Sequence, residues 1–153
     1  MKNWFKVLVV VNGHGGNIPA LRAALQALKL EYSGVKLALT SWWELAFPKI
    51  RELFGGTPGH ADAVEASVAA AAGLRVKPWE GAPLREGVLS LLKGVYMPFK
   101  TSELTKSGTM GELYVDVEKG REVLEEAVRG LVELVEALVA VSYTHLTLPT
   151  TER

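Results

Sequence analysis

The sequence predicts an α/β fold built on a parallel pair of strands joined by a helix. Two observations in the residues open this reading. Apolar, β-branched runs occur at residues 5–11 and 35–40, and between them a glycine-rich turn leads into a segment of helical periodicity. Strand, helix and strand in that order lay two parallel strands side by side with a right-handed crossover.

Residues 5–11 (FKVLVVV) are nearly continuously apolar, as a central parallel strand covered on both faces requires. The stretch VNGHGGN, residues 11–17, follows. In an open α/β fold such a loop lies at the carboxyl edge of the sheet, where ligands bind. Gly13, Gly15 and Gly16 let the backbone approach a ligand closely, and His14 in their midst can bind a metal or move a proton. Read structurally, the same loop is a tight turn carrying a solvent-exposed histidine. Asn17 is placed to cap a helix whose first turn holds Pro19. Leu21, Ala24, Leu25 and Leu28 recur at helical spacing, Ser33-Gly34 ends the helix, and residues 35–40 (VKLALT) form the second strand.

That strand runs into Ser41-Trp42-Trp43-Glu44, which parallel pairing puts on the same sheet edge as His14. A tryptophan there either walls a ligand pocket or covers the end of the sheet. A short helix over residues 44–54 follows, its start obscured by Pro48. Residues 55–59 (GGTPG) are loop and deliver His60 to a helix over 61–72, ended by Gly73. Asp62 and Glu65 share a face at its amino end, where the helix dipole favours carboxylates. With His60 they equally form a candidate metal or acid–base group.

Residues 74–112 are broken by Pro78, Pro83 and Pro98, with a helix expected over 84–92 and a polar loop over 100–111, long enough to cover a site. Residues 113–117 (LYVDV) read as an edge strand or an extended lead-in. The longest helix spans 118–139, with Leu124, Val128, Leu131, Val135 and Leu138 as its apolar stripe and Glu125–Arg129 as a supporting pair. The domain is expected to occupy residues 1–141. Residues 142–153 (SYTHLTLPTTER) lose all periodicity and read as a non-native tail, which removes His145 from the site candidates.

Composition narrows the function. The 153 residues carry 17 basic and 17 acidic side chains, so no net charge draws the chain to nucleic acid or an anionic membrane. Cysteine is absent, which removes disulfides, thiolate metal sites and cysteine nucleophiles and agrees with a cytoplasmic location. No apolar run approaches the roughly 18 residues that span a bilayer. The dinucleotide fingerprint fails because Ile18 stands where its last glycine belongs, a P-loop lacks its Gly-Lys-Ser/Thr, and no G-x-S-x-G elbow is present. Histidine and carboxylates without thiolate suit Zn²⁺ or Mn²⁺ in a hydrolytic role. The ligand count is short: His14, His60, Glu65 and Asp62 are the candidates, whereas a catalytic zinc takes about three protein ligands and a bridged pair takes more.

In this context NGHGGN after an apolar strand, SWWE after the next, GHADAVEAS opening a helix and SGTMGELYVDVEKGRE resemble, in order, the creatininase (creatinine amidohydrolase) family over roughly residues 5–140. The resemblance implies a three-layer α/β/α sandwich with a mostly parallel sheet, incomplete on its amino-terminal side in this chain. It also implies a metal-dependent hydrolase acting on cyclic amides or other non-peptide C–N bonds, with two divalent ions, zinc or manganese, a small-molecule substrate and a hexameric assembly. By position, His14 matches the metal-binding histidine of the glycine loop, and Glu65 a metal-site acid. His60 matches the histidine that assists proton transfer beside the substrate, and Trp43 a substrate-binding tryptophan. Gly13, Gly15, Gly16 and Asn17 supply the loop backbone.

Departures accompany the likeness. Asp62 and Ala63 stand where the family often has Gly-Glu, Ala66 replaces a usual threonine, and Gly16 occupies the place of a metal-binding acid in creatinine-specific members. Creatinine is therefore disfavoured as the substrate. Family members carry a further glutamate, histidine and aspartate ahead of the glycine loop that complete the metal site. The chain is accordingly expected to be the carboxyl-terminal part of such a hydrolase, inactive or weakly active alone. The alternative is a non-catalytic module that binds a small anion through the loop at 12–17.

Overall fold

The computed structural model describes residues 5–56, 59–77, 100, 103, 105 and 108–141. The helix expected over 84–92, residues 101, 102, 104, 106 and 107 of the loop expected over 100–111, and the tail at 142–153 lie outside them. The architecture is mixed α/β with a parallel sheet, as the sequence predicts. The chain divides into two compact units, residues 1–45 with 127–153 and residues 46–126.

In the first unit, β1 (Val7–Asn12) and β2 (Lys36–Ser41) pair in parallel, in register from Val7 opposite Lys36 to Asn12 opposite Ser41. The crossover is α1 (Ile18–Glu31), entered through a 3-10 turn, Gly15–Asn17, with Pro19 in its first turn where a missing N–H costs nothing. Lys29 closes the return to β2 by donating from Nζ to the carbonyls of Ser33 (2.6 Å) and Val35 (2.9 Å). Directly after β2 comes α2 (Trp42–Leu45). The second half of α5 (Val117–Ala140) belongs here too. Lys36 Nζ donates to the carbonyl of Leu138, placing a cation at that helix's negative end.

The second unit holds α3 (Phe47–Phe54), α4 (Ala63–Ala71) and the first half of α5. Pro48 sits in the first turn of α3, and Gly55, at φ 77°, closes it with a left-handed cap that side chains rarely adopt. Ala46, Ile50, Ser67 and Val123 are fully buried, with Ala63, Val64 and Ala66 nearly so. The start of α5 is tied down by a relay. Ser67 Oγ accepts the N–H of Asp116 at 3.0 Å, and Asp116 Oδ1 accepts the N–H of Lys119 at 3.0 Å, satisfying a donor the helix leaves unpaired.

Several expectations change in detail. The first strand begins at Val7, leaves Phe5 77% exposed, and runs on through Asn12. Among the described residues β1 has one neighbour, so Leu8 and Val11 are exposed rather than covered. Asn17 makes no side-chain cap to α1, because its side chain is used inside the preceding loop. Ala24 is exposed, and Ile18, Leu21, Leu25 and Leu28 form the half-buried face of α1. The expected helix over 44–54 is two helices, broken at Ala46. Residues 113–116 form the extended lead-in and no strand.

In α5, Val128 and Val135 are exposed, and Val123 and Ala127 are the buried positions. Small residues decide this. A side chain on Gly120 would meet the carbonyl of Ser67, and one on Gly130 would stand 3.2 Å from the carbonyl of Leu45. The helix therefore turns inward the face that lets backbones approach, not the face with the bulkiest apolar side chains.

Candidate functional site

The glycine loop is organised by Asn12. Its side chain is 97% buried and donates from Nδ2 to the carbonyl of His14 (2.8 Å) and to Ser41 Oγ (3.3 Å). Its Oδ1 accepts from the backbone of His14 (3.2 Å) and from Asn17 Nδ2 (3.4 Å). One amide thus reads both strand ends and both sides of the histidine. Replacing Asn12 with alanine is expected to cost about 2 kcal/mol by leaving these groups unsatisfied, measured by urea unfolding, with faster amide exchange at His14.

His14 caps the 3-10 turn: Nδ1 accepts the N–H of Gly16 at 3.1 Å. The backbone N–H of Asn17 donates to the carbonyl of His14 at 3.1 Å. On the same sheet edge, Trp43 is half-buried and meets Trp42 edge to face, with centroids 5.7 Å apart. Parallel pairing therefore places His14 and Trp43 at one edge, as the sequence predicts.

In the second unit, His60 is held by its backbone, which exchanges two hydrogen bonds with Met110 (3.0 and 2.7 Å). Asp62 is the N-cap of α4. Its Oδ1 accepts from Val64 (3.0 Å) and Glu65 (3.2 Å), and its Oδ2 from Gly59. Glu65 reaches back to the N–H of Ala61 at 2.6 Å, so the two acids form a box around the helix start. Ala61, at φ 49°, is in the left-handed region that non-glycine residues rarely visit, and Glu65 anchors that turn. Beside it lies a cavity of about 190 Å³ whose walls include Phe54, Gly56, Asp62, Met110 and Tyr114. Phe54 and Tyr114 stack with centroids 6.1 Å apart, and Lys119 Nζ stands 5.5 and 5.9 Å from the two rings.

The candidate ligands His14, Asp62 and Glu65 are each engaged in local hydrogen bonds within their own unit. A histidine ligand presents one ring nitrogen to the metal and donates from the other. In His14, Nδ1 accepts from Gly16, so the ring proton of the neutral form sits on Nε2. Asp62 and Glu65 spend carboxylate oxygens on backbone N–H groups. Among the described residues no group of three or more histidines and carboxylates is arranged to hold an ion. The N–H groups of His14, Gly16 and Asn17 all donate within the glycine loop.

A strand–glycine loop–helix unit leading into a parallel second strand defines an α/β protein. The creatininase family model, described as creatinine amidohydrolase, matches residues 1–135, and the chain belongs to the creatininase family. A crystal structure of a candidate creatinine amidohydrolase from Bacteroides fragilis NCTC 9343 is similar in fold. It superposes with a TM-score of 0.65 at 22% identity, covering 92% of this chain and 56% of that one. The chain thus spans little more than half the length of that relative. No curated protein matches it.

Two organising residues, Asn12 and Ser41, escape the sequence reading. Their signal is faint but physical: a polar residue closes each apolar run, and in parallel register the two meet.

Proposed function

We propose that the protein belongs to the hydrolysis of a non-peptide C–N bond in a small amide, and that this chain alone does not carry it out. Family membership supports the reaction class, and the family is generally metal-dependent. A bound zinc or manganese ion would polarise the amide carbonyl and acidify the attacking water. In this chain the candidate ligands His14 and Glu65 are committed to loop and helix caps, which is the observation that carries the proposal of inactivity. His60 is the residue assigned to proton transfer, and Trp43, at the sheet edge, to the substrate. Gly16, where creatinine-specific members have an acid, favours another cyclic amide.

No described helix is long and apolar enough to cross a membrane. With no cysteine in the chain, we assign the protein to the cytoplasm.

The purified chain, supplied with zinc or manganese, is expected to hydrolyse neither creatinine nor a panel of cyclic amides above the uncatalysed rate. Turnover that a chelator stops and His14→Ala abolishes would contradict the proposal of inactivity while strengthening the reaction class.

A further inference from the structure

The cavity beside the start of α4 has no part in the reaction proposed above. Its volume of about 190 Å³ is many times the roughly 10–15 Å³ that one water needs. Neither His60 nor Glu65 is among its walls. The walls that decide its chemistry are Phe54, Tyr114, Met110, Asp62 and Glu112, and no described basic side chain joins them. Asp62 is buried, whereas Glu112 is exposed, with its carbonyl fixed to the N–H of Ala63 at 2.8 Å. Neither carboxylate is ion-paired with another described residue. The ring pair already attracts a cation. Lys119 Nζ stands 5.5 Å from the Phe54 centroid and 5.9 Å from that of Tyr114. Lys119 is not a wall, so it approaches the rings from outside the cavity.

We propose that the cavity binds a small methylated ammonium ion, its charge held against Phe54 and Tyr114 and balanced by Asp62 and Glu112. Aromatic rings and a polarisable thioether suit N-methyl groups, which need close contact and no hydrogen-bond acceptor. Other ions fit less well. A guanidinium needs a buried carboxylate free to accept two parallel hydrogen bonds. Asp62 spends both oxygens on the N–H groups of Gly59, Val64 and Glu65. For a metal ion, no group of three or more histidines and carboxylates is suitably arranged among the described residues. An anion would meet two negative charges. The proposal stands independently of the hydrolysis proposed above.

Calorimetric titration of the whole chain with choline tests it, beside choline's uncharged isostere, in which a tert-butyl group replaces the trimethylammonium. Choline is expected to bind at one site with a dissociation constant of roughly 0.1–1 mM, and the isostere about tenfold more weakly. Glu112→Gln should weaken choline about threefold, and Lys119→Met, which removes a like charge across the rings, should strengthen it by a similar factor. Tyr114→Leu keeps an apolar wall without the ring and should weaken choline about tenfold. Glu112 is exposed, so its replacement should leave the circular dichroism unchanged. No choline binding up to about 10 mM, equal binding of the isostere, or a choline affinity that none of the three substitutions changes overturns the proposal.

Discussion

Replacing Gly120 with alanine is expected to destabilise the protein by about 3 kcal/mol, against the direction helix propensity alone dictates. In an exposed helix interior the change favours folding by about 1 kcal/mol. Here the added Cβ would lie 2.1 Å from the carbonyl oxygen of Ser67, 2.3 Å from its carbon and 2.9 Å from the nitrogen of Val68. All three are backbone atoms of α4, so no flexible side chain can give way. The helices must separate, which pulls Ser67 Oγ from the N–H of Asp116 and loosens the relay that starts α5. Overpacking of this kind costs about 1–3 kcal/mol and sometimes more. The urea midpoint of Gly120→Ala should fall well below that of the parent. A neutral or raised midpoint would mean that α4 and α5 do not touch here.

Replacing Asp62 with alanine is expected to cost about 3 kcal/mol, and this separates two readings of the acids at the start of α4. The carboxylate is 94% buried and accepts three backbone N–H groups, from Gly59, Val64 and Glu65. Removing a helix cap costs about 1 kcal/mol, and the further buried donors left unpaired add about 1–3 kcal/mol. Asp62→Asn keeps one oxygen for the helix and loses the bond to Gly59, so roughly half the cost is expected. Were Asp62 instead held for a metal, alanine would leave the metal-free protein nearly as stable as before. Urea unfolding in the presence of a chelator distinguishes the outcomes.

Asp62 and Gly120 mark where sequence reasoning reaches and where it stops. The strand–loop–helix–strand unit is legible because β-branched runs, glycines and Pro19 each act locally. Asp62 and Glu65 were readable as either caps or ligands, since a helix start and a cation both favour carboxylates. Only the positions of the N–H groups resolve this, and residue type does not encode them. In α5 the apolar stripe holds for Leu124, Leu131 and Leu138, which are half-buried, and fails for the exposed Val128 and Val135, because Gly120 and Gly130 set the approach of the backbones. Asn12 is visible in the sequence only as part of the VNGHGGN loop. Its grip on Ser41 depends on strand register across 29 residues, which no local pattern specifies.

His14 carries the central claim. By resemblance it is expected to be a metal ligand; in the structure it caps a turn, and among the described residues no group of three or more histidines and carboxylates is arranged to hold an ion. Isothermal titration of zinc into the purified chain tests this most directly. Binding weaker than about 10 µM, little changed in His14→Ala, is the predicted result. Stoichiometric zinc bound below about 1 µM and lost in His14→Ala would contradict it.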